Sequence, residues 1–340
     1  MALGYARLAG ESTPGNELNT PTLDTTSFYP PLTEFGITPG FSHLERDDEL
    51  RNPDEPLSVL VEKADPAWSL DVRGYPNLLG ALLTYMLGRP VTTAGNGVIT
   101  DPDSVVIPVG VTRHVWTAPF GPSGTSPLTF QADVAYRDVS TYFKLKGCAV
   151  QSLSLETPES GGARVQASGP ALYLTRGADP ALTPTFETIT VPPFLKPHLS
   201  LSWLGGTADF EDFSIKAEQP LDPVHTGGSG SRWPDRMYKA DTPVVWSGSV
   251  PKTLLNSTDY DALAAATAFA ATAKWVSTAF AAGSYPFKLF VVMSNCQYTG
   301  GGPNPLSNRR RIGASYDFKA TRSASASVAV HLMNTTTSYT

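Results

Sequence analysis

The chain has 340 residues and a net charge of −6, and 16% of its residues are charged while 41% are hydrophobic. This composition excludes a disordered polyelectrolyte. The negative charge argues against a protein that grips nucleic acid, because phosphate binding depends on clustered Lys and Arg. With 29 glycines and 30 prolines, and no segment near the ~20 apolar residues of a membrane span, the sequence predicts a turn-rich and strand-rich fold.

The N-terminal segment has neither the basic nor the apolar region of a secretory signal, so we expect the protein to stay in the compartment where it is made. Residues 1–56 show little periodicity and many turn-forming pairs, and their acidic residues cluster at 45–55. The segment also carries too many apolar residues for a free linker. We therefore interpret residues 10–56 as an extended arm that docks on another surface.

The first half of the chain predicts strands around one helix. Apolar residues at helical spacing predict an amphipathic helix with one buried face over 76–88, with Pro76 in its first turn and Gly88 at its end. Gly147 indicates a bulge or bend in one long strand, and residues 157–162 predict a hairpin turn. The predicted strands are 57–63, 68–72, 113–117, 128–136, 143–156 and 164–174.

The second half repeats this mixture after a proline-rich segment, 175–197, which marks a candidate domain boundary. We predict two domains, 1–180 and 181–340. Capping residues at 257–261 predict the start of an Ala-rich helix that reaches Trp275. The predicted strands are 199–203, 210–216, 243–250, 287–298, 312–320 and 325–334.

Two internal similarities point to related halves. Residues 150–156 resemble 210–216, and 143–148 resemble 287–296 through a shared Phe-Lys-Leu and a following Cys. The offsets differ, at 60 and 144 residues, so a tandem duplication stays open. Both halves nevertheless predict strands, one helix and further strands, which favours two similar β-sandwich units.

A search for catalytic or ligand-binding residues yields none. The five histidines are scattered, and no nucleophile elbow, phosphate loop or zinc-binding helix is present. Cys148 and Cys296 lie far apart and are predicted to be buried free thiols. We therefore predict no catalytic residue, no cofactor and no metal site.

Two carboxylate pairs remain as weak alternatives. Asp101 with Asp103, or Glu211 with Asp212, could serve a glycoside hydrolase, but such pairs are indistinguishable from solvated turn charges. The Asp101 turn also supplies only two of the ligands that a calcium loop needs.

One basic cluster, Arg309, Arg310 and Arg311, follows a turn-rich stretch. A solvated loop is the ordinary interpretation. The sharper one is electrostatic docking against the acidic arm of another subunit, since complementary charges fix the register of an interface.

Many strands, an arm and no catalytic motif together indicate an assembly protein, and several segments support this. Trp68-Ser-Leu70, the leucines of 78–83, Gly147-Cys-Ala-Val-Gln-Ser-Leu-Ser-Leu-Glu156 and Gly161-Gly162 follow one another in an order that resembles the major tail tube proteins of long-tailed bacteriophages. The resemblance covers most of residues 57–334 and rests on short patterns.

This resemblance implies a mainly β fold of two tail-tube-like β-sandwich or barrel units, each with a short flanking helix, plus the N-terminal arm. It implies a structural, non-enzymatic virion protein of the phage tail, made in the host cytoplasm. Sheets would join edge to edge into rings, and stacked rings would conduct DNA through a polar lumen without binding it specifically.

The expected partners are other copies of the chain and the tape-measure, tail-terminator and tail-tip proteins. Two units per chain predict a trimeric ring with pseudo-sixfold symmetry, with a hexamer as the alternative. The face that lines the lumen stays open, because a register slip of one residue exchanges the two faces of a strand. Candidate inter-ring contacts are Phe41, Glu45, Asp47, Asp48, Glu49, Asp54, Glu55, Arg309, Arg310 and Arg311.

A second hypothesis from another class is a monomeric carbohydrate-binding or adhesin-like β-sandwich. It would share the composition and the six tryptophans, but it would usually carry the export signal that this sequence lacks.

Overall fold

The fold is described from a computed structural model of the chain. All structural statements concern the residues that it describes, which are 4–11, 23–45, 59–118, 126–138, 140–178, 191–207, 210, 212–226, 231–241, 243–252, 257–303, 314–321 and 328–339.

The described chain is mainly β, as predicted, with two α-helices, α1 (Pro76–Leu87) and α2 (Ser257–Ala264). The strands before the predicted domain boundary are β1 (Gly4–Glu11), β2 (Leu23–Phe28), β3 (Leu32–Thr38), β4 (Phe41–Glu45), β5 (Val59–Ala64), β6 (Ala67–Arg73), β7 (Val91–Ala94), β8 (Thr112–Thr117), β9 (Phe130–Tyr136), β10 (Thr141–Cys148), β11 (Ser152–Thr157), β12 (Arg164–Pro170) and β13 (Tyr173–Gly177). Those after it are β14 (Leu199–Trp203), β15 (Gly206–Thr207), β16 (Phe213–Glu218), β17 (Leu221–Val224), β18 (Arg236–Lys239), β19 (Val245–Lys252), β20 (Phe269–Ala282), β21 (Tyr285–Pro303), β22 (Ala314–Ala320) and β23 (Val328–Asn334).

Two large antiparallel sheets contain most of these strands. The five-stranded sheet has the order β13-β10-β9-β1-β2. The long sheet runs β15-β14-β20-β21-β22-β19-β16-β11-β12-β6-β3, and β23, β8 and β7 extend it from the first half of β21. Two small hairpins, β4–β5 and β17–β18, complete the described strands. The apolar core is continuous between the two sheets.

The same strand order occurs twice in the chain. Eight neighbouring strands of the long sheet, which we call the central eight, form two groups of four, β3-β6-β12-β11 and β16-β19-β22-β21. In each group the first two strands are joined through a small hairpin, a helix follows the second strand, and the last two strands are consecutive. We call β1 to β13 the first repeat and β14 to β23 the second repeat.

The remaining strands obey the same correspondence. The order β13-β10-β9-β1-β2 of the first repeat matches β23-β21-β20-β14-β15 of the second, where β21 takes part with its first half. The first repeat also has an insertion between its helix and β9, the hairpin β7–β8, which pairs with β23 of the second repeat. The sequence supports the alignment, since Trp68-Ser69 in β6 corresponds to Trp246-Ser247 in β19.

The insertion explains the two offsets in the sequence. The similarity of 143–148 to 287–296 joins equivalent segments, β10 and the first half of β21. The similarity of 150–156 to 210–216 joins segments that are not equivalent. The strands β11 and β16 hold different positions in their groups of four and pair with each other. The division into domains 1–180 and 181–340 stays a prediction, since this pairing joins both repeats in one sheet.

Helix α1 is a core helix rather than the predicted amphipathic helix with one buried face. Of its 12 residues, 11 are buried. Leu79 and Leu83 face the long sheet around Leu153, while Tyr85 lies 4.8 Å from Phe130 of the five-stranded sheet, measured between ring centroids. Both sheets thus pack on it.

The second predicted helix is wrong beyond Ala264. Residues 269–282 form β20, in which every second residue from Phe269 to Trp275 is buried. Trp275 is fully buried in β20, which pairs with β14 and β21. Cross-strand pairing therefore outweighs the helical preference of its alanines.

The predicted long strand 143–156 is also two strands. At Gly147, which has a φ of +63°, the chain passes from β10 in the five-stranded sheet to β11 in the long sheet. Residues 164–174 divide in the same way between β12 and β13. The predicted hairpin turn is correct and joins β11 to β12 in the long sheet, while its two arms continue as β10 and β13 in the five-stranded sheet.

Much of the predicted arm pairs with its own chain. The strands β2, β3 and β4 pair with β1, β6 and β5, respectively. Residues 12–22 and 46–56 of the arm lie outside the described residues. No helix in the described part of the chain has the length and apolarity needed to cross a membrane.

Candidate functional site: a polar groove and two sheet edges

The central eight strands present one apolar and one polar face. Leu153 and Leu155 of β11 point to the core under α1, so the alternate residues Ser152, Ser154 and Glu156 lie on the opposite face. The cross-strand partners continue this face, since Ser154 is opposite Gln166 on β12 and Lys216 on β16. The result is a polar groove of about 740 Å³ that crosses both repeats.

The polar groove is lined by hydroxyls, an amide and charged side chains. Its described carboxylates outnumber its cations by four to two. The charged residues are Glu34, Asp71, Glu156, Asp317, Arg164 and Lys216, and the serines are Ser69, Ser152, Ser154, Ser168, Ser214, Ser247 and Ser249. Such a wall is wet and mildly acidic.

Ion pairs within the groove neutralise its cations. The Nε of Arg164 donates a hydrogen bond of 2.8 Å to Oδ1 of Asp71, and a second guanidinium nitrogen contacts Oδ2. The hydrogen bonds from Arg164 lower the pKa of Asp71, so its carboxylate is charged at neutral pH. Lys216 pairs with Glu218 on its own strand, at 2.5 Å between Nζ and Oε1. Neither cation is left to bind a phosphate strongly.

The central eight end in two strand edges. Within the described residues, β3 pairs only with β6. At the other end, β21 pairs with β22 from Cys296 to Pro303, while its pairing with β20 stops at Cys296. Residues 297–303 of β21 therefore have one edge without a strand in the described chain. An exposed edge of this kind can pair with another chain.

Of the predicted inter-ring residues, the structure describes two. Phe41 lies in β4 with 43% of its surface exposed, and its ring contacts Trp233 and the guanidinium of Arg232. Glu45 ends β4. Asp47, Asp48, Glu49, Asp54, Glu55, Arg309, Arg310 and Arg311 lie outside the described residues.

The strand directions place the hairpin β4–β5 and the paired ends of β21 and β22, Pro303 with Ala314, at opposite ends of the central eight. The two small hairpins meet at one end, where the backbone of Ala64 donates to the carbonyl of Arg232 and Asp65 contacts His225. The hairpin β4–β5 follows β3 at this end, and its connecting residues 46–58 lie outside the described residues. Pro303 of β21 is paired with Ala314 of β22 at the opposite end, and the three arginines lie between these two residues in the sequence.

Of the alternative carboxylate pairs, the structure describes Asp101 with Asp103, whereas Glu211 of the second pair lies outside the described residues. Asp101 is buried and accepts hydrogen bonds from Nζ of Lys288 at 2.6 Å and the hydroxyl of Tyr285 at 2.7 Å. Burial raises its pKa, but these hydrogen bonds outweigh the burial and lower it, which does not suit a general acid. Asp103 pairs with Lys274. Among the described residues, no cluster of three His, Cys, Asp or Glu could hold a metal.

The two cysteines are free and buried, as predicted. Sequence reasoning found the alternating serines of β11, but it did not place them in a groove shared by both repeats. Only the pairing of β11 with β16 shows that their polar faces are continuous.

Comparison with known proteins decides among the classes that this geometry allows. A family model described as phage tail tube protein matches residues 2–320. The chain belongs to this family. A search of curated proteins gave no significant match. The chain is therefore a structural component of the phage tail, as the resemblance implied, and its groove and edges belong to a tail tube protein.

Proposed function

We propose that the chain assembles into trimeric rings, and that stacked rings form a tube that conducts DNA. The observation that carries this proposal is the junction between β11 and β16. There the last strand of the first repeat's group pairs with the first strand of the second repeat's group. Repeating this step pairs β21 of one chain with β3 of the next, and these are the two open edges of the central eight.

The internal junction also predicts a register. In β11 and β16, Ser152 is opposite Glu218 and Leu153 is opposite Ala217. When the repeats are aligned through their shared Trp-Ser, Gln297 and Tyr298 of β21 correspond to Ser152 and Leu153 of β11. In the same alignment, Thr38 and Ile37 of β3 correspond to Glu218 and Ala217 of β16. Gln297 would therefore lie opposite Thr38 of the next chain, and Tyr298 opposite Ile37 of the next chain.

Ring size follows from the strand spacing. Three chains contribute about 24 strands, which at ~4.8 Å per strand give a circumference near 115 Å and a diameter of about 37 Å before strand tilt. A hexamer of whole chains doubles the diameter to about 73 Å. We favour the trimer because its narrower wall surrounds a duplex more closely.

The polar groove would line the lumen. Its excess of carboxylates repels the DNA backbone, and the pairing of Arg164 and Lys216 with carboxylates removes the counterion release on which tight binding depends. DNA would pass without specific contacts. The apolar face, covered by α1, would be the outer side of the wall.

Ring stacking would use the two ends of the central eight. In the sequence, the acidic segment 46–58 lies between β4 and β5, which follow β3 at one end, and Arg309, Arg310 and Arg311 lie between β21 and β22, which pair at the other end. Stacked head to tail, each ring would place opposite charges at the next junction. The tape-measure, tail-terminator and tail-tip proteins would bind the ends of the finished tube.

A disulfide tests ring closure and ring size together. We would replace Thr38 and Gln297 by cysteine in one chain. Opposed residues of paired strands lie about 4.5–5.5 Å apart at their Cα atoms, which suits a disulfide, while the two positions within one chain are separated by about seven strand spacings. Mild oxidation should link copies into species of two and three chains and none larger.

The single variants Thr38→Cys and Gln297→Cys are the matched controls and should stay monomeric on a denaturing gel. Negative-stain electron microscopy should show hollow rings or tubes. A ladder of six chains would favour the hexamer. A protein that stays monomeric by sedimentation velocity at all concentrations, without disulfides between chains, would overturn the proposal in favour of the monomeric binding protein.

A further inference from the structure

The two equivalent helices differ in what covers them. In α1, 11 of 12 residues are buried, whereas only Asp259 and Ala262 are buried among the eight residues of α2. Tyr260 is 54% exposed. Both helices nevertheless follow the second strand of their group and pack on its last strand, α1 on β11 and α2 on β21. The difference must come from elements beyond their own group.

Part of the additional cover of α1 comes from the five-stranded sheet of its own repeat, where Tyr85 packs against Phe130, and part comes from the second repeat. Leu79 and Leu83 of α1 meet Leu289 of β21 and Val330 of β23 around a small apolar cavity. Thus the helix of the first repeat is covered by β21 and β23 of the second repeat, which follows it in the long sheet. In a single chain no repeat follows the second one, so among the described residues α2 lacks this cover.

The first repeat has a complementary deficit at the outer end of β9 and β10, since Leu145, the equivalent of Leu289, is already fully buried. Phe143-Lys-Leu145 of β10 corresponds to Phe287-Lys-Leu289 of β21, on the strand that covers α1. Phe287 is buried to 2% exposure, whereas Phe143 is only partly buried and lies against Tyr136, which is 37% exposed. In a single chain no repeat precedes the first one, so no helix of a preceding repeat packs on this part of β9 and β10 within the described residues.

We propose that the outward side of α2 docks against the outer end of β9 and β10, at Tyr136 and Phe143, of the next copy of the chain. This contact rests on the proposed ring and would be a second interface at each junction, beside the pairing of β21 with β3. The internal junction shows both contacts together, since α1 is covered at the same place where β11 pairs with β16. The occupant of the exposed side of α2 is therefore a second copy of this chain.

Cross-linking between two single variants tests the contact directly. Tyr260→Cys and Tyr136→Cys would be mixed, assembled and treated with a short bis-maleimide. Cys148 and Cys296 are fully buried and should not react. We expect a cross-linked dimer from the mixture and none from either variant alone. The matched control is Val98→Cys, which is 77% exposed and lies in the β7–β8 insertion, mixed with Tyr260→Cys.

A charge substitution gives a second readout. Tyr260→Arg should leave the monomer folded, because the side chain is exposed, and should raise the concentration needed for ring formation about tenfold, as expected for an interface aromatic residue. The disulfide between Thr38→Cys and Gln297→Cys serves as the reference. If the disulfide between positions 38 and 297 links the chains while the Tyr260 cross-link is absent and Tyr260→Arg assembles like wild type, the proposed contact of α2 is wrong and the ring stands. If neither forms, the ring itself is wrong.

Discussion

Helices α1 and α2 hold equivalent positions, yet one is part of the core and the other lies at the surface. The neighbour that covers α1 is present in every folded chain, so its sequence is almost wholly apolar. Helix α2 has the sequence Ser-Thr-Asp-Tyr-Asp-Ala-Leu-Ala and is held by polar contacts, since the hydroxyl of Tyr298 donates to Asp259 and accepts from Nε1 of Trp203. The repeated topology is thus compatible with very different helix surfaces.

The β7–β8 insertion adds to this difference. The insertion pairs with β23 of the second repeat and extends the sheet at that strand. In addition, Nε1 of Trp116 on β8 donates a hydrogen bond to the carbonyl of Gly88 at the end of α1. In the second repeat only residues 265–268 separate α2 from β20, so no such hairpin can form. The insertion therefore stabilises the junction within the chain and has no counterpart in the second repeat that could serve the proposed junction between chains.

The largest expected effect separates the two helices. Leu82→Ala in α1 removes a fully buried side chain and should lower the free energy of unfolding by about 2–5 kcal/mol. Leu263→Ala in α2 removes a side chain that is only partly buried and should cost about 1 kcal/mol in the monomer. Urea denaturation of the unassembled chain, followed by tryptophan fluorescence, measures both. Equal losses would contradict the assignment of α2 to the monomer surface.

The sequence predicted most strands because their alternation and turns are local. It failed where distant pairing decides. The alanines of 269–275 favour a helix in isolation, but β14 and β21 bind that segment on both sides. The apolar spacing in α1 indicated one buried face. It could not show that a second face is buried, because the strands that pack on the helix come from both repeats. The groove likewise depends on the pairing of β11 with β16, which no local pattern encodes.

A smaller expected effect is a pH dependence of stability that arises where the β7–β8 insertion pairs with β23. His331 on β23 lies beside Arg113 of β8, and burial together with that positive charge lowers its pKa to about 4. Between pH 6.5 and 4 the unfolded chain therefore binds a proton that the folded chain does not, so stability falls as the pH falls through this window. At pH 5 this effect reaches about 2 kcal/mol.

Replacement by glutamine separates this effect from other titrations. His331→Gln should lose less stability than wild type between pH 7 and pH 5, as measured by urea denaturation at both values. The equivalent residue of the first repeat is Tyr173, because Leu174 is opposite Leu145 as Leu332 is opposite Leu289. A phenol does not titrate in this window. Identical losses in the variant and wild type would show that His331 does not carry the pH dependence.

The smallest effect concerns the groove, where the repeats differ in charge. Asp71 and Arg164 of the first repeat correspond to Ser249 and Ser315 of the second. Converting the first pair to serine, Asp71→Ser with Arg164→Ser, should change the free energy of unfolding by less than about 1 kcal/mol, because the arginine is half exposed and such pairs contribute little. The double change also preserves the net charge. Because the proposed ring closes through the strand edges and not through the groove, rings should form at the wild-type concentration in sedimentation velocity. A loss of assembly in this variant would instead assign the groove charges a part in the junction.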